Sequence, residues 1–329
     1  MIQIPALEDY VDAIQTPQLI KAATLQGGHP EVMLNGSPLM YTGGYCVVFP
    51  YNVGSKKYAV RCWHAYLSGG KERCREISSY LDIVSLPYFA KFQYVEDGIV
   101  TKQGPQPIVI MDWVEGKTLK DFIKENLHNK NSLKKLADDF KFMVKQLHQN
   151  SISHGDLQHG NILVKKDGGL MLVDYDSIYV PALNGYTDEI QGLKGYQHPA
   201  RFTNRSLSPK ADYFSELIIY TSILAIMEQP ELWNDLQMED TETMVFSSED
   251  IESLGNAPIF QRLKNIPKTK ELIDRIKSEL RKTNIEELSC LEENCISFLD
   301  DIRNDFADNG YTRPKLYKKE AIKEISDEW

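Results

Sequence analysis

Asp156, Asn161 and Asp174 carry the strongest chemical signal in the sequence. Asp156 stands in His154-Gly155-Asp156-Leu157-Gln158-His159-Gly160-Asn161, and Asp174 in Leu172-Val173-Asp174-Tyr175-Asp176. Asp156 falls in a tight loop after a long helical pattern. Asn161 and Asp174 flank two short apolar runs, Ile162–Val164 and Leu170–Val173, joined by the turn sequence Asp167-Gly168-Gly169. Such a hairpin folds Asn161 and Asp174 back toward one point. An amide oxygen and a carboxylate are hard ligands of the kind Mg²⁺ takes alongside phosphate oxygens. A separate carboxylate close by, Asp156, can accept the proton of a hydroxyl.

The elements that must position these residues follow from the patterns around them. Tyr45–Pro50 and Lys57–Trp63 are rich in β-branched and aromatic residues, with Asn52-Val53-Gly54-Ser55 between them as a hairpin turn. Lys71–Ile83 predicts a helix, Glu96–Gly98 another hairpin turn, and Pro107–Val114 a buried strand. After Gly116 the pattern becomes helical. Leu133, Leu136, Phe140, Met143, Val144 and Leu147 repeat at three and four residues, one face of an amphipathic helix. Phe214–Met227 is apolar nearly all round and predicts a central buried helix. Helical patterns continue over Thr269–Lys282 and Ile285–Asn304. The expected order is a strand-rich small lobe, then a helical large lobe with a hairpin inside it, and ligands tend to bind between such units.

The set resembles the protein-kinase family, in which a catalytic loop H-R-D-L-x-x-x-N is followed by D-F-G. The step of five residues from Asp156 to Asn161 and of 13 from there to Asp174 fits it. The resemblance, which extends to bacterial eukaryotic-like kinases with H-G-D-L-x-x-G-N, implies an α+β, two-lobed protein-kinase-like fold. It implies Asp156 as catalytic base, Asn161 and Asp174 as metal ligands, and ATP and Mg²⁺ as cofactors. Tyr41-Thr42-Gly43-Gly44-Tyr45-Cys46 lies where the phosphate-covering glycine loop should be, with Gly43 and Gly44 in contact with ATP. Tyr58-Ala59-Val60-Arg61 resembles V-A-I-K, placing Arg61 where the family has its phosphate-binding lysine. Its partner would be a glutamate on the following helix, Glu76 or, one turn earlier, Glu72. Val109–Gly116 resembles the hinge, with Met111 as gatekeeper and the backbone of Asp112 and Val114 at the adenine edge. Gly192–Pro199 resembles the end of the activation segment, and Asp212-Tyr213-Phe214-Ser215 the start of the central helix, whose aspartate braces the catalytic loop.

Departures from the family pattern narrow the reading. Gly155 replaces the arginine that reads a phosphorylated activation loop, so that switch is expected to be missing. Gln158 replaces a lysine, Leu193 a threonine, Ala200 a glutamate and Asp176 the glycine of D-F-G. HGDL with a nearby GN also occurs in aminoglycoside and choline kinase-like enzymes. The expectation is therefore a Ser/Thr protein kinase. The alternatives are a small-molecule kinase and a pseudokinase that binds nucleotide as a scaffold.

Composition sets the outer limits. The 329 residues are 42% hydrophobic and 26% charged, ordinary globular values that exclude wholesale disorder. Against 37 Lys+Arg stand 47 Asp+Glu, a net charge of −10 that disfavours a nucleic-acid partner. The best apolar run, Leu217–Met227, is about half the ~20 residues a membrane span needs. No secretory signal is visible at the N-terminus. An odd five cysteines without CxxC fit reduced thiols and a cytoplasmic setting. The expected organisation is an N-terminal extension over 1–37 packed on the kinase domain, a small lobe over 38–114, a large lobe over 115–310 and a charged tail over 311–329. Protein substrates are the partners this implies. Neither their identity nor an oligomeric state follows from the sequence.

Overall fold

The computed structural model describes residues 4–65, 70–203 and 205–294. Residues 295–304 of the last helical pattern, and the tail expected over 311–329, lie outside the described residues.

The strand-rich part opens with α1 (Leu7–Ile14), followed by β1 (His29–Pro30), β2 (Tyr41–Thr42), β3 (Cys46–Val53) and β4 (Lys56–Trp63). Then come α2 (Gly70–Val84), β5 (Phe92–Thr101) and β6 (Gly104–Asp112). The sheet is antiparallel in the order β1-β3-β4-β6-β5, with β2 also paired to β3. One face buries Val47, Phe49, Val60, Ile108 and Ile110 together with Tyr10, Ala13 and Ile14 of α1 and Leu25. The segment before β1 thus caps a sheet face whose β-branched and aromatic side chains would otherwise meet water. The other face receives Ile77 and Leu81 of α2 and belongs to the core of the helical part.

Glu96–Gly98 is a bulge inside β5, not the hairpin turn its composition predicts. The register with β6 shifts between Val95 and Ile99, and the chain reverses instead after Thr101. Gly98 fits there because a Cβ would lie 2.3 Å from Ile108 Cγ1, and its carbonyl accepts from the amides of Lys21 and Ala22. The bulge is where the N-terminal segment is tied to the sheet.

Beyond the junction at Trp113–Gly116 the helical part contains β7 (Lys117–Thr118), α3 (Leu119–Glu125), α4 (Lys130–Gln149), β8 (Ile162–Val164) and β9 (Leu170–Leu172). It continues with α5 (Tyr213–Glu228), α6 (Leu232–Asp235), α7 (Ser248–Glu252), α8 (Pro258–Lys264) and α9 (Lys270–Glu279). Thr118 and Asn129 cap α3 and α4 by accepting from the amides of Asp121 and Ser132. The apolar stripe of α4 is buried as its spacing predicts, and α5 is buried on nearly every side. The pattern over Ile285–Asn304 is not one helix in its described part. It forms 3₁₀ turns at Ile285–Glu287 and Leu291–Asn294. Among the described residues, no helix is long and apolar enough to cross a membrane.

Candidate active site

The hairpin β8–β9 does what its turn sequence promised. Ile162 faces Leu172, and the Val173 amide donates to the Asn161 carbonyl at 3.0 Å, so Asn161 and Asp174 leave the same end of the ladder. Asp174 adopts φ +66°, the left-handed region, which turns its half-exposed carboxylate out of the strand direction. Asn161 Nδ2 donates to the Asp156 carbonyl at 2.8 Å and to Asp156 Oδ2 at 3.1 Å. With its nitrogen committed to Asp156, Asn161 has its side-chain oxygen left as an acceptor that could meet a cation. The three residues singled out by type and spacing are therefore one cluster.

Asp156 sits on a braced loop. Asp212, nearly fully buried ahead of α5, accepts from the amides of His154 and Gly155, the latter at 3.0 Å to Oδ1. His154 in turn bonds the Val173 carbonyl through Nε2 at 2.9 Å, tying the loop to the strand that leads to Asp174. Asp156 Oδ1 accepts from the Leu193 amide at 2.9 Å. Burial raises the Asp156 pKa above the usual carboxylate value, a rise that the Leu193 amide opposes. A carboxylate held so is a better proton acceptor than a solvated one.

His159, three residues after the candidate base, is no acid–base partner. Its Nδ1 lies 2.6 Å from the Tyr196 hydroxyl, and burial lowers its pKa to about 4. Its imidazole is expected to stay neutral across the physiological range. An NMR titration showing the His159 ring protons moving with a midpoint near the ordinary histidine value of about 6.5 would refute this.

The glycine loop is a tight turn in which the Gly43 amide donates to the Cys46 carbonyl at 2.8 Å. A Cβ at Gly43 would approach nothing closer than 3.7 Å, and one at Gly44 would meet nothing. Neither residue has a positive φ, so the fold itself requires glycine at neither place. At the junction, Met111 is buried, Asp112 is exposed and Val114 is half-buried. The Asp112 and Trp113 amides are spent on the Lys91 and Lys57 carbonyls.

Arg61 corrects the sequence reading. It is buried on β4 beside the cluster, where the family resemblance puts it and a lone arginine near a strand end would not be expected, but its partner is neither Glu76 nor Glu72. Both glutamates lie on the exposed face of α2, and neither pairs with Arg61 among the described residues. Arg61 Nη2 instead donates to Asp176 Oδ2 at 2.5 Å, to Asp174 Oδ1 at 3.3 Å and to Cys46 Sγ at 2.9 Å. The cause is the rotation of α2. Its inward row is Arg73, Ile77 and Leu81, one residue and hence about 100° from the row of the glutamates. Arg73 is itself buried and donates to the carbonyls of Asp176 at 2.9 Å and Thr187 at 3.2 Å. Burial works against the Arg61 charge, yet the Asp176 and Asp174 carboxylates hold its pKa well above the ordinary value. Burial pushes the Cys46 thiol up to about 11, so it stays protonated beside the guanidinium.

Between the two carboxylates, Tyr175 turns inward. It packs edge-on to Phe89 at 5.6 Å, accepts from the Ala90 amide at 2.8 Å and donates to the Leu172 carbonyl at 2.9 Å. This anchors the chain on which Asp174 and Asp176 point back to Arg61. Asp176 was visible in the sequence only as a carboxylate in place of a glycine. Its charge, opposite to that of Arg61, was the one signal of the pairing.

A strand-rich lobe joined to a helical lobe, with Asp156, Asn161 and Asp174 gathered beside Arg61 of β4, is a two-lobed kinase-like architecture. The model of the protein kinase domain matches residues 55–316, and the chain belongs to the protein kinase family. Among curated proteins it is similar to the serine/threonine-protein kinase PrkC of Bacillus subtilis, 28% identical over 122 residues, which are 35% of this chain and 18% of PrkC. It is similar to the serine/threonine-protein kinase PknB of Mycobacterium tuberculosis, 26% identical over 121 residues, 35% of this chain and 19% of PknB. It also resembles the mitosis inhibitor protein kinase SWE1 of Candida albicans, 28% identical over 145 residues, 40% of this chain and 12% of SWE1. The matched segment thus spans less than a fifth of these relatives' length.

Proposed function

We propose that the chain is a Ser/Thr protein kinase that transfers the γ-phosphoryl group of ATP to a protein hydroxyl. The observation that carries this is the convergence of Asp156, Asn161 and Asp174, with a buried guanidinium 3.3 Å from the last. The donor set suits Mg²⁺, because Asn161 and Asp174 offer one amide and one carboxylate oxygen, both hard ligands. When bound, the metal would neutralise charge on the phosphate oxygens. Asp156 accepts the proton of the attacking hydroxyl through the oxygens that Leu193 and Asn161 orient. Arg61 presents a fixed positive charge to a phosphate oxygen while Asp176 holds its Nη2. Gly43 and Gly44, which the fold does not need as glycines, leave room for backbone to approach the phosphates. Met111 and the backbone around Asp112 and Val114 form the adenine side. The need for ATP, with the free thiols of Cys46, Cys62 and Cys74, fits a reducing cytoplasmic setting.

The test is transfer of radiolabelled γ-phosphate to mixed cell protein and to the chain itself, with Mg²⁺ and with chelator. Metal-dependent labelling of serine or threonine is expected. Tight Mg-ATP binding without label in any protein would replace this reading by the scaffold. Label found only in small molecules would replace it by a metabolite kinase.

A further inference from the structure

We propose that Arg201 and Asp188 form a built-in pin that holds the catalytic loop and the segment before α5 in working order without a phosphate. The proposal rests on the kinase reading above and concerns residues that the reading does not use. Arg201 lies in the 3₁₀ turn Pro199–Phe202 and is completely buried. Its Nε donates to Asp188 Oδ2 at 2.8 Å and its Nη2 to Asp188 Oδ1 at 3.2 Å, a two-pronged pair with a carboxylate that is itself buried. Nη2 also donates to the Ile190 carbonyl at 3.3 Å, and Nη1 to Gln197 Oε1 and the Gly155 carbonyl. Every N–H of the guanidinium is thereby matched to an acceptor, the condition for burying such a charge.

The Gly155 contact gives the pin its chemical meaning. That carbonyl belongs to the peptide that leads into Asp156. On the other side of Gly155, its amide is held by Asp212. Arg201 and Asp212 therefore grip the backbone just before the base from two directions. The segment gripped by Arg201 at Asp188 and Ile190 returns to the loop three residues later, where the Leu193 amide meets Asp156 Oδ1. Both ends of the stretch 188–193 are thus fastened to the catalytic loop.

Position 155 cannot supply this cation itself. Gly155 has φ +79°, and a Cβ there would fall 2.1 Å from the Ser177 carbonyl oxygen. The guanidinium comes from position 201 instead, and its counter-charge is the permanent carboxylate of Asp188. A phosphoryl group added to the segment could only duplicate a charge already present. Arg201 and Asp188 touch no reacting atom, so they are positioning residues.

The test uses the full chain and two variants. In Asp188→Leu/Arg201→Met the buried pair is replaced by apolar groups of similar size, an exchange buried pairs often tolerate. Arg201→Lys keeps the charge and loses the fork. Both are expected to fold, to bind Mg-ATP as wild type does, and to transfer phosphate about 10–100-fold more slowly with KM for ATP unchanged. Hydrogen exchange of the Leu193 amide should be faster in both by about tenfold or more, and phosphatase treatment of wild type should leave its rate unchanged. A folded variant with wild-type kcat and wild-type Leu193 protection would overturn the pin. So would a wild-type rate that collapses on dephosphorylation. If wild type labels no protein, the kinase reading fails, and Leu193 exchange alone decides the pin. If the double variant does not fold, Arg201→Lys decides it.

Discussion

Asp156→Asn should transfer phosphate about 10²–10⁴-fold more slowly than wild type, with Mg-ATP affinity little changed. That range corresponds to about 3–5 kcal/mol of barrier. The substitution removes the proton acceptor and leaves the shape. An asparagine oxygen can still accept from the Leu193 amide, which now reaches Asp156 Oδ1 at 2.9 Å. Its nitrogen would then confront Asn161 Nδ2, which now donates to Oδ2 at 3.1 Å, so one hydrogen bond is lost and a modest fall in melting temperature is expected. Affinity should hold because the residues assigned to metal and phosphate, Asn161, Asp174 and Arg61, are untouched. Steady-state transfer and calorimetric titration of Mg-ATP on the same preparation separate the two effects. A variant that transfers at the wild-type rate would make Asp156 a structural turn residue.

Arg61→Ala should bind ATP about 10–100-fold more weakly, from the loss of a charge-assisted hydrogen bond worth roughly 1.5–3 kcal/mol. Arg61→Lys should lose less, since it keeps the charge but not the Nη2 position that meets Asp174, Asp176 and Cys46 together. The alanine variant carries a second cost. Asp176 is half-buried, and its loss of solvent already raises its pKa while Arg61 pulls it down. Without Arg61 that pKa rises further. A carboxyl whose folded pKa is raised binds its proton more tightly folded than unfolded. Stability then falls as pH climbs from the ordinary carboxylate value through the raised one. Arg61→Ala should therefore lose more melting temperature at neutral pH than in mild acid. Equal ATP affinity in wild type and Arg61→Ala would place Arg61 outside the phosphate site and favour the scaffold.

Much of the site was legible because its parts are local. The distance from Asp156 to Asn161 is one loop, and Asp174 is brought back by a hairpin whose turn residues announce it. Patterns with a single solution also survived: α4 has one apolar stripe, and α5 has no polar face to turn outward. The glutamates of α2 show the limit of such reading. Glu72 and Glu76 do share a helical row, as their spacing requires. Which row faces the sheet was decided by Ile77 and Leu81 burying into the core, and that row brings Arg73 inward with it. Asp97-Gly98 had turn composition but became a bulge, because Ile108 and the N-terminal segment meet the chain there.

By itself, then, the sequence determined the order of the elements, the cluster of Asp156, Asn161 and Asp174, the burial of α5 and the strand that carries Arg61. Each depends on spacing or periodicity within a few tens of residues. Only the tertiary structure decided what neutralises the buried charges: Asp176 for Arg61 across 115 residues, and Asp188 for Arg201 beneath the catalytic loop. Exposed charges need no particular partner, because water screens them. Buried ones must find one wherever the packed chain supplies it, and no local pattern of residues records which face of a helix or loop the core will claim.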